Sequence, residues 1–422
     1  MIPPFVSKIN KVLINIGCAN IKQQDLFQPQ PVKVDLTELN QKDCLLFAGD
    51  NLNYLTALAS SHKPIIDFIY IDPPYNTGST FLYNDSRKSP SNGVFGRHTS
   101  WMEFMTPRLV MAHEILKDDG VIAVSIDDYE HAYLKVLLDM IFGEENFIGN
   151  ISVCRSKNGK GSRKNIAINH EYLLVYGKSK SAVLPGTPDD YGNYDKQDEH
   201  GLYRIDGLFR KKGEASSRDD RPNMFYPLYY DTNGQVYLEY STGLKSAYPI
   251  DSKGIERRWL WGRDTAKENS WKLYASPKGT IYVKNYSSIG KRKKIRSMWQ
   301  ENSLHYTDKA TTEIKKIFGD KAFDTPKPIA YIKDIIHQMT SKNALILDFF
   351  AGSGTTAHAA QELNQQDEGT RKTILIESDD LIPEWHVASK LGFNRLYEIT
   401  EHRLNYIKKI SPNYSYITKI SI

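Results

Sequence analysis

The chain has 422 residues, 40% of them hydrophobic and 25% charged, enough for two or three domains with sizeable cores and too apolar for wholesale disorder. Mean hydropathy is -0.50, no apolar run approaches the roughly 18 residues of a membrane-spanning helix, and the opening MIPPFVSKINKVLINIG has no secretory core. A cytoplasmic protein with no membrane partner is expected. Cys18, Cys44 and Cys154 are odd in number and far apart, which excludes a disulfide framework and a CxxC zinc site, and no metal is expected.

In chain order, residues 1–44 read as a helical lead ending in QPQPVKVD. Residues 45–150 then alternate: CLLFAGD as a buried strand, NLNYLTALASS as a helix, and DFIYID as a second buried strand running into Pro73-Pro74. WMEFMTPRLVMAHEIL reads as a helix, DDG as a turn, VIAVSI as a strand and DDYEHAYLKVLLDMIF as a helix. Strands alternating with helices predict an α/β fold with a doubly wound, mainly parallel sheet.

The tetrapeptide Asp72-Pro73-Pro74-Tyr75 stands at the carboxyl end of the second strand. Two prolines fix φ and remove two N–H donors, so the backbone there offers carbonyl oxygens and no helix ladder. The Asp72 carboxylate and the Pro73 carbonyl make a pair of acceptors for a group with two hydrogens, and Tyr75 offers a flat face. That combination suits an exocyclic amine on a nucleobase. A rigid strand-end turn with an incidental acid is the plainer alternative.

Residues 151–320 lose the alternation and hold 31 Lys and Arg against 20 Asp and Glu, while the flanks together are net acidic. They also hold 15 of the 26 tyrosines and four of the six tryptophans. Cations interleaved with flat rings are expected where a nucleic acid is gripped, although a solvated face over an aromatic core gives the same counts. QVYLEY and GTIYVKNY read as hairpin strands within a basic α+β insertion. Arg155, Lys157, Lys160 and Arg163 in the first loop, and Lys291, Arg292, Lys293 and Lys294 near its end, are the candidate phosphate contacts, with Arg257, Arg258 and Arg263 behind them.

Residues 321–422 restore the α/β rhythm: a helix in TPKPIAYIKDIIHQMT, a strand in ALILDFF, a helix in GTTAHAAQEL and a strand in KTILIES. The strand ending at Asp348 meets Gly352 and Gly354 just before a helix, where glycines permit a tight turn and free N–H groups face a ligand. Glu377 ends the next strand, where such folds place a carboxylate on ribose hydroxyls. The GxGxxG spacing is not met and no GxxxxGK[ST] loop occurs, so neither a typical dinucleotide enzyme nor an NTPase is indicated. A purely structural turn stays open on this motif alone. His98, His113, His170 and His337 have no metal-like grouping.

Together these residues resemble the S-adenosyl-L-methionine-dependent amino methyltransferases of DNA. Asp72-Pro73-Pro74-Tyr75 is similar to that family's catalytic tetrapeptide, and Phe350-Ala351-Gly352-Ser353-Gly354 to its cofactor motif. The order of catalytic motif, basic insertion and cofactor motif is that of the β class. GDNLNYL, IYIDPPYNTG, GVIAVSIDDYEHAYLKVLLDMIFGEENFI, HEYLLVYGK, RPNMFYPLYY, FDTPKPIAYIK and ILDFFAGSGTTAHA bring the resemblance closer to the modification (Mod) subunits of type III restriction-modification systems.

The resemblance implies a Rossmann-like methyltransferase fold split into catalytic (45–150) and cofactor-binding (321–422) halves around a target-recognition domain (151–320). It implies that Asp72 and Pro73 hold the target amine, with Pro74 beside them in the catalytic tetrapeptide, and that Tyr75 stacks on a base flipped out of double-stranded DNA. Asp348 would hold the methionine amino group, and Phe350, Ala351, Gly352, Ser353 and Gly354 would shape the cofactor pocket. Glu377 would take the ribose hydroxyls, Lys327 would lie beside the methionine end, and Asp50 would contact the cofactor adenine. An Asp at the first catalytic position goes with adenine N6 transfer; cytosine N4 transfer, or a DNA-binding specificity subunit needing a restriction partner, are the alternatives. A homodimer, a restriction (Res) subunit as partner and a bacterial cytoplasm with nucleoid association also follow from the resemblance.

Overall fold

The computed structural model describes residues 4–17, 29–61, 63–79, 82, 95–158, 165–188, 194–287, 292–300 and 302–420. Cys18, Lys160, Arg163 and Lys291 lie outside them. The chain divides into two units, Met1–Thr187 with Lys294–Ile422, and Pro188–Lys293.

The first unit is built on runs of apolar residues too uniform to have a solvent face. Strands β1 (Cys44–Ala48), β2 (Ile66–Ile71), β3 (Leu116–Ile126), β7 (Leu345–Asp348) and β8 (Lys372–Glu377) are buried almost throughout, as parallel strands covered by helices on both faces must be. With β4 (Phe147–Cys154), β5 (His170–Gly177), β6 (Met298–Trp299) and β9 (Tyr416–Ile420) they form a nine-stranded sheet in the order β6-β4-β5-β3-β2-β7-β8-β1-β9. Neighbours from β3 through β9 are parallel, and β5 runs antiparallel to both β3 and β4. The sheet is therefore mixed at one side and parallel where the expected motifs sit. Asp67, the polar interruption in β2, accepts the Leu345 N–H at 2.7 Å and the Lys117 ammonium at 2.6 Å, which ties β2 to the start of β7.

Helices α1 (Pro4–Asn15), α2 (Asn51–Ser61), α3 (Arg97–Ile115) and α4 (His131–Phe142) belong to the amino-terminal part of the chain. Helices α5 (Thr307–Phe318), α6 (Ile329–Met339), α7 (Thr355–Asp367) and α8 (Leu396–Ile410) belong to the carboxyl-terminal part. Ile9, Val12, Leu13 and Ile16 enter the same core as β1 and α3. The lead is thus part of the core of the first unit. Burial of each such side chain contributes about 1.5–3 kcal/mol. The expected Asp118-Asp119-Gly120 turn is drawn into β3 instead, because Ile66 pairs with Leu116 before the register shifts.

The second unit is smaller than the expected 151–320 insertion. β4 and β5 hydrogen-bond into the sheet, and Ile314 and Phe318 of α5 pack with Leu396 and Ile399 of α8, so both flanks of that insertion are claimed by the first unit. Within Pro188–Lys293, Ile281–Tyr286 pairs with Gly201–Leu208 and Leu273–Ala275, and Leu228–Tyr230 pairs with Val236–Tyr237 and Lys245–Ala247, all antiparallel. Phe209, Trp259, Leu228, Leu273 and Ile281 form its core, with the Phe209 and Trp259 rings stacked at 5.2 Å.

Candidate active site

Four carboxylates stand at the carboxyl ends of four adjacent parallel strands: Asp72 after β2, Asp348 on β7, Glu377 on β8 and Asp50 after β1. They open onto one pocket of about 350 Å³, which Phe104, Phe323, Lys327 and Phe350 also line. Ligands collect at this edge of a doubly wound sheet because the loops diverge there.

At the centre, Asp348 is buried, accepting Thr356 Oγ1–H at 2.5 Å and Phe350 N–H at 3.1 Å. Burial pushes its carboxyl up to about 7, against the pull of those two donors. The glycine turn that follows has φ +54° at Gly352 and +77° at Gly354. A Cβ on Gly352 would meet Phe323 Cζ at 3.0 Å, so a side chain there would strain the backbone and press on the pocket wall. Ala351 and Ser353 are buried beside it. Glu377 Oε2 accepts the Gly352 N–H and its Oε1 the Ser378 N–H, and burial raises this carboxyl to about 8.

At the far end, Asp50 Oδ1 accepts the Leu52 N–H at 2.8 Å, capping α2, and the Arg108 guanidinium at 3.1 Å. Arg108 lies 3.7 Å over the Phe104 ring, and Phe104 faces Phe350 at 6.1 Å. The lining is rich in carboxylates, and its two cations are each already bonded to one, Lys327 to Asp72 and Arg108 to Asp50. Such a donor set suits a ligand with an ammonium group, a positive sulfur and hydroxyls, next to aromatic walls for a ring; it does not suit a polyphosphate. The residues present fit S-adenosyl-L-methionine.

At the catalytic side, Pro74 O accepts the Trp101 Nε1–H at 2.7 Å, which pins the proline pair to α3. Lys327 Nζ donates to both Asp72 oxygens at 2.6 Å and to the Tyr75 hydroxyl at 2.9 Å. The Tyr75 hydroxyl donates to Asp72 Oδ1 at 2.7 Å, and burial with the Asp72 carboxylate holds the phenol well above its usual range. Lys327 precedes α6 between Pro326 and Pro328, where the chain cannot yet be helical, and this turn delivers it to Asp72.

Two residues without an assigned role, and one assigned elsewhere, also bear on this side of the site. Glu171 on β5 places Oε2 3.9 Å from Lys327 Nζ and 3.5 Å from the Tyr75 hydroxyl. Glu130 is fully buried and accepts Asn76 Nδ2–H at 2.6 Å, holding Asn76, the residue after Tyr75, at φ +59°. The signals were in HEYLLVYGK and IDDYE, but no spacing rule links either to a site elsewhere in the chain.

The third is Arg155, which corrects an expectation. Read as a phosphate contact, it is buried, bonded to Glu171 Oε1 at 2.5 Å and placed 5.2 Å over the Tyr331 ring. A guanidinium so enclosed cannot meet a duplex backbone. Arg258 is buried as well, donating to Ala215 O at 2.6 Å, and the half-buried Arg257 is bonded to Asp251 at 2.9 Å. Lys157, Lys293 and Lys294 are exposed, as phosphate contacts require, and Arg292 lies in a short strand.

The chain is similar to known proteins over most of its length. The profile of the DNA methylase family matches residues 66–409. The Type II methyltransferase M.KpnI of Klebsiella pneumoniae is 59% identical over 97% of this chain and 97% of its own. The EcoPI Mod subunit of a type III restriction-modification enzyme, from Escherichia phage P1, is 33% identical over 94% of this chain and 67% of its own. The StyLTI Mod subunit of Salmonella typhimurium is also 33% identical, over 90% of this chain and 59% of its own.

Proposed function

We propose that this chain, which belongs to the DNA methylase family, methylates N6 of an adenine extruded from double-stranded DNA at a specific site. The observation that carries the adenine reading is Asp72 at the first position of the tetrapeptide, its carboxylate facing the pocket it shares with Asp348.

When bound, S-adenosyl-L-methionine supplies a methyl group on a cationic sulfur, a leaving group that needs no metal. Asp348 takes the ammonium of its methionine end, Glu377 its ribose hydroxyls, and Phe350 with Gly352 the wall against which it lies. Asp72 and the Pro73 carbonyl accept hydrogen bonds from the two N6 hydrogens, so the nitrogen lone pair is drawn out of ring conjugation and turned towards the methyl group; as the N–C bond forms the S–C bond breaks, the sulfur leaves as a neutral thioether and one N6 proton is lost to solvent. Tyr75 supplies the face on which the extruded base stacks, at an unstacking cost of a few kcal/mol. The chain's contribution is positioning and charge.

Identity of 59% to a Type II methyltransferase, against 33% to a Mod subunit of a type III enzyme, favours the Type II kind for this chain. Exposed Val136, Met140, Phe147 and Ile148 on α4 and β4 support pairing of two copies, to be tested by sedimentation. The experiment for the base is incubation of the purified chain with unmethylated genomic DNA and cofactor, followed by nucleoside mass spectrometry. N6-methyladenine is expected; N4-methylcytosine would keep the reaction and overturn the base.

A further inference from the structure

Asp72 is already engaged by a cation before any amine arrives. Both of its oxygens accept from Lys327 at 2.6 Å, and one also accepts from Tyr75. Bonds from an ammonium are roughly twice as strong as those from a neutral amine, so an incoming base does not displace Lys327 by strength. Nor does the ammonium escape to water. The Lys327 side chain is only 8% exposed, and a buried charge needs a partner.

A second anion is in place. Glu171 Oε2 stands 3.9 Å from Lys327 Nζ, so a shift of about 1 Å brings the two to hydrogen-bond distance. The Glu171 side chain is 8% exposed and anchored by its other oxygen, which accepts from Arg155 at 2.5 Å. Arg155 is held in turn by its backbone N–H to Asn169 O at 2.7 Å, and Glu171 lies opposite Val153 in the β4–β5 ladder. The four groups, two carboxylates and two cations, are balanced in charge. Moving Lys327 from one carboxylate to the other leaves that balance unchanged.

We propose that Glu171 is a positioning residue for methyl transfer, the second seat that draws the Lys327 ammonium off Asp72 so that Asp72 can accept the target amine. The inference rests on the reading of Asp72 as the amine acceptor. It assigns Arg155 the task of aiming Glu171.

The test compares the natural chain with Glu171→Gln and with the double variant Glu171→Gln, Arg155→Met. It measures kcat/KM for DNA alongside cofactor binding by calorimetry. Glu171→Gln is expected to lower kcat/KM for DNA about tenfold or more, roughly 1.4 kcal/mol, with cofactor affinity unchanged. The double variant leaves no stranded guanidinium and serves as the comparison where the single variant folds poorly; it is expected to stay low. Transfer by Glu171→Gln at the natural rate, or recovery in the double variant, would overturn the proposal, recovery showing that Glu171 only pairs Arg155. If the natural chain itself moves no methyl to DNA, the underlying reading fails and this inference with it; natural activity matched by Glu171→Gln sinks this inference alone.

Discussion

Lys327 Nζ lies 2.6 Å from each oxygen of Asp72, although 255 residues separate the two in the chain. The contact exists because β2 and β7 are parallel neighbours, Ile69 opposite Leu347, so the halves before and after the inserted unit deliver their loops to one edge. Strand order brings the Asp72 tetrapeptide and the Gly352 turn to one pocket.

The glycine turn gives the most local prediction. Gly352→Ala places a Cβ in the left-handed region, at about 1–2 kcal/mol, and 3.0 Å from Phe323. Cofactor affinity, measured by calorimetry, is expected to fall about tenfold, with a lower melting temperature.

Cofactor binding should depend on pH through Asp348. Its carboxyl is raised to about 7, by burial above all, so much of the free protein carries a proton there below neutrality. An ammonium ligand selects the ionised form, and affinity is expected to climb as pH rises from about 6 to 8. Asp348→Asn should bind weakly at every pH and flatten the part of the titration that belongs to this group.

Stability should move the other way. Burial raises Glu130 to about 8, far above its ordinary 4.5, so the folded chain keeps a proton that the unfolded chain has released. The contribution is complete below about pH 4.5 and is lost as pH climbs through about 8. Melting temperature against pH is expected to fall across that window and to fall less in Glu130→Gln, whose amide oxygen still accepts from Asn76.

Exposed Lys293 and Lys294 are expected to contact phosphates. Replacing both with Ala should weaken binding at all DNA sequences alike and reduce the slope of log K against log salt by about 2. A changed sequence preference would show that they read bases.

The sheet was legible because CLLFA, IDFIYI and LILD are apolar runs that only a covered parallel strand can use. Asp72, Asp348 and Glu377 were legible because each ends such a run. What local sequence did not reveal was charge pairing across distance. Arg155 reads as one more cation in RSKNGKGSRKN, and its partner is fixed only when β4 and β5 form their ladder. The extent of the insertion is hard to read for the same reason: the pairing of β5 with β3 and β4, which holds those strands in the first unit, is long-range. Glu130 and Asn76 are 54 residues apart and meet only once α3 and α4 are packed.

The most direct test compares the natural chain with Asp72→Ala for transfer of a tritiated methyl group to unmethylated DNA and for cofactor binding by calorimetry. In the proposed reading Asp72 holds the acceptor nitrogen and Asp348 the donor, so transfer is expected to fall about 100-fold or more while cofactor affinity stays within about twofold. Transfer by Asp72→Ala at the natural rate would contradict it, as would a loss of cofactor affinity that alone accounts for the loss of transfer.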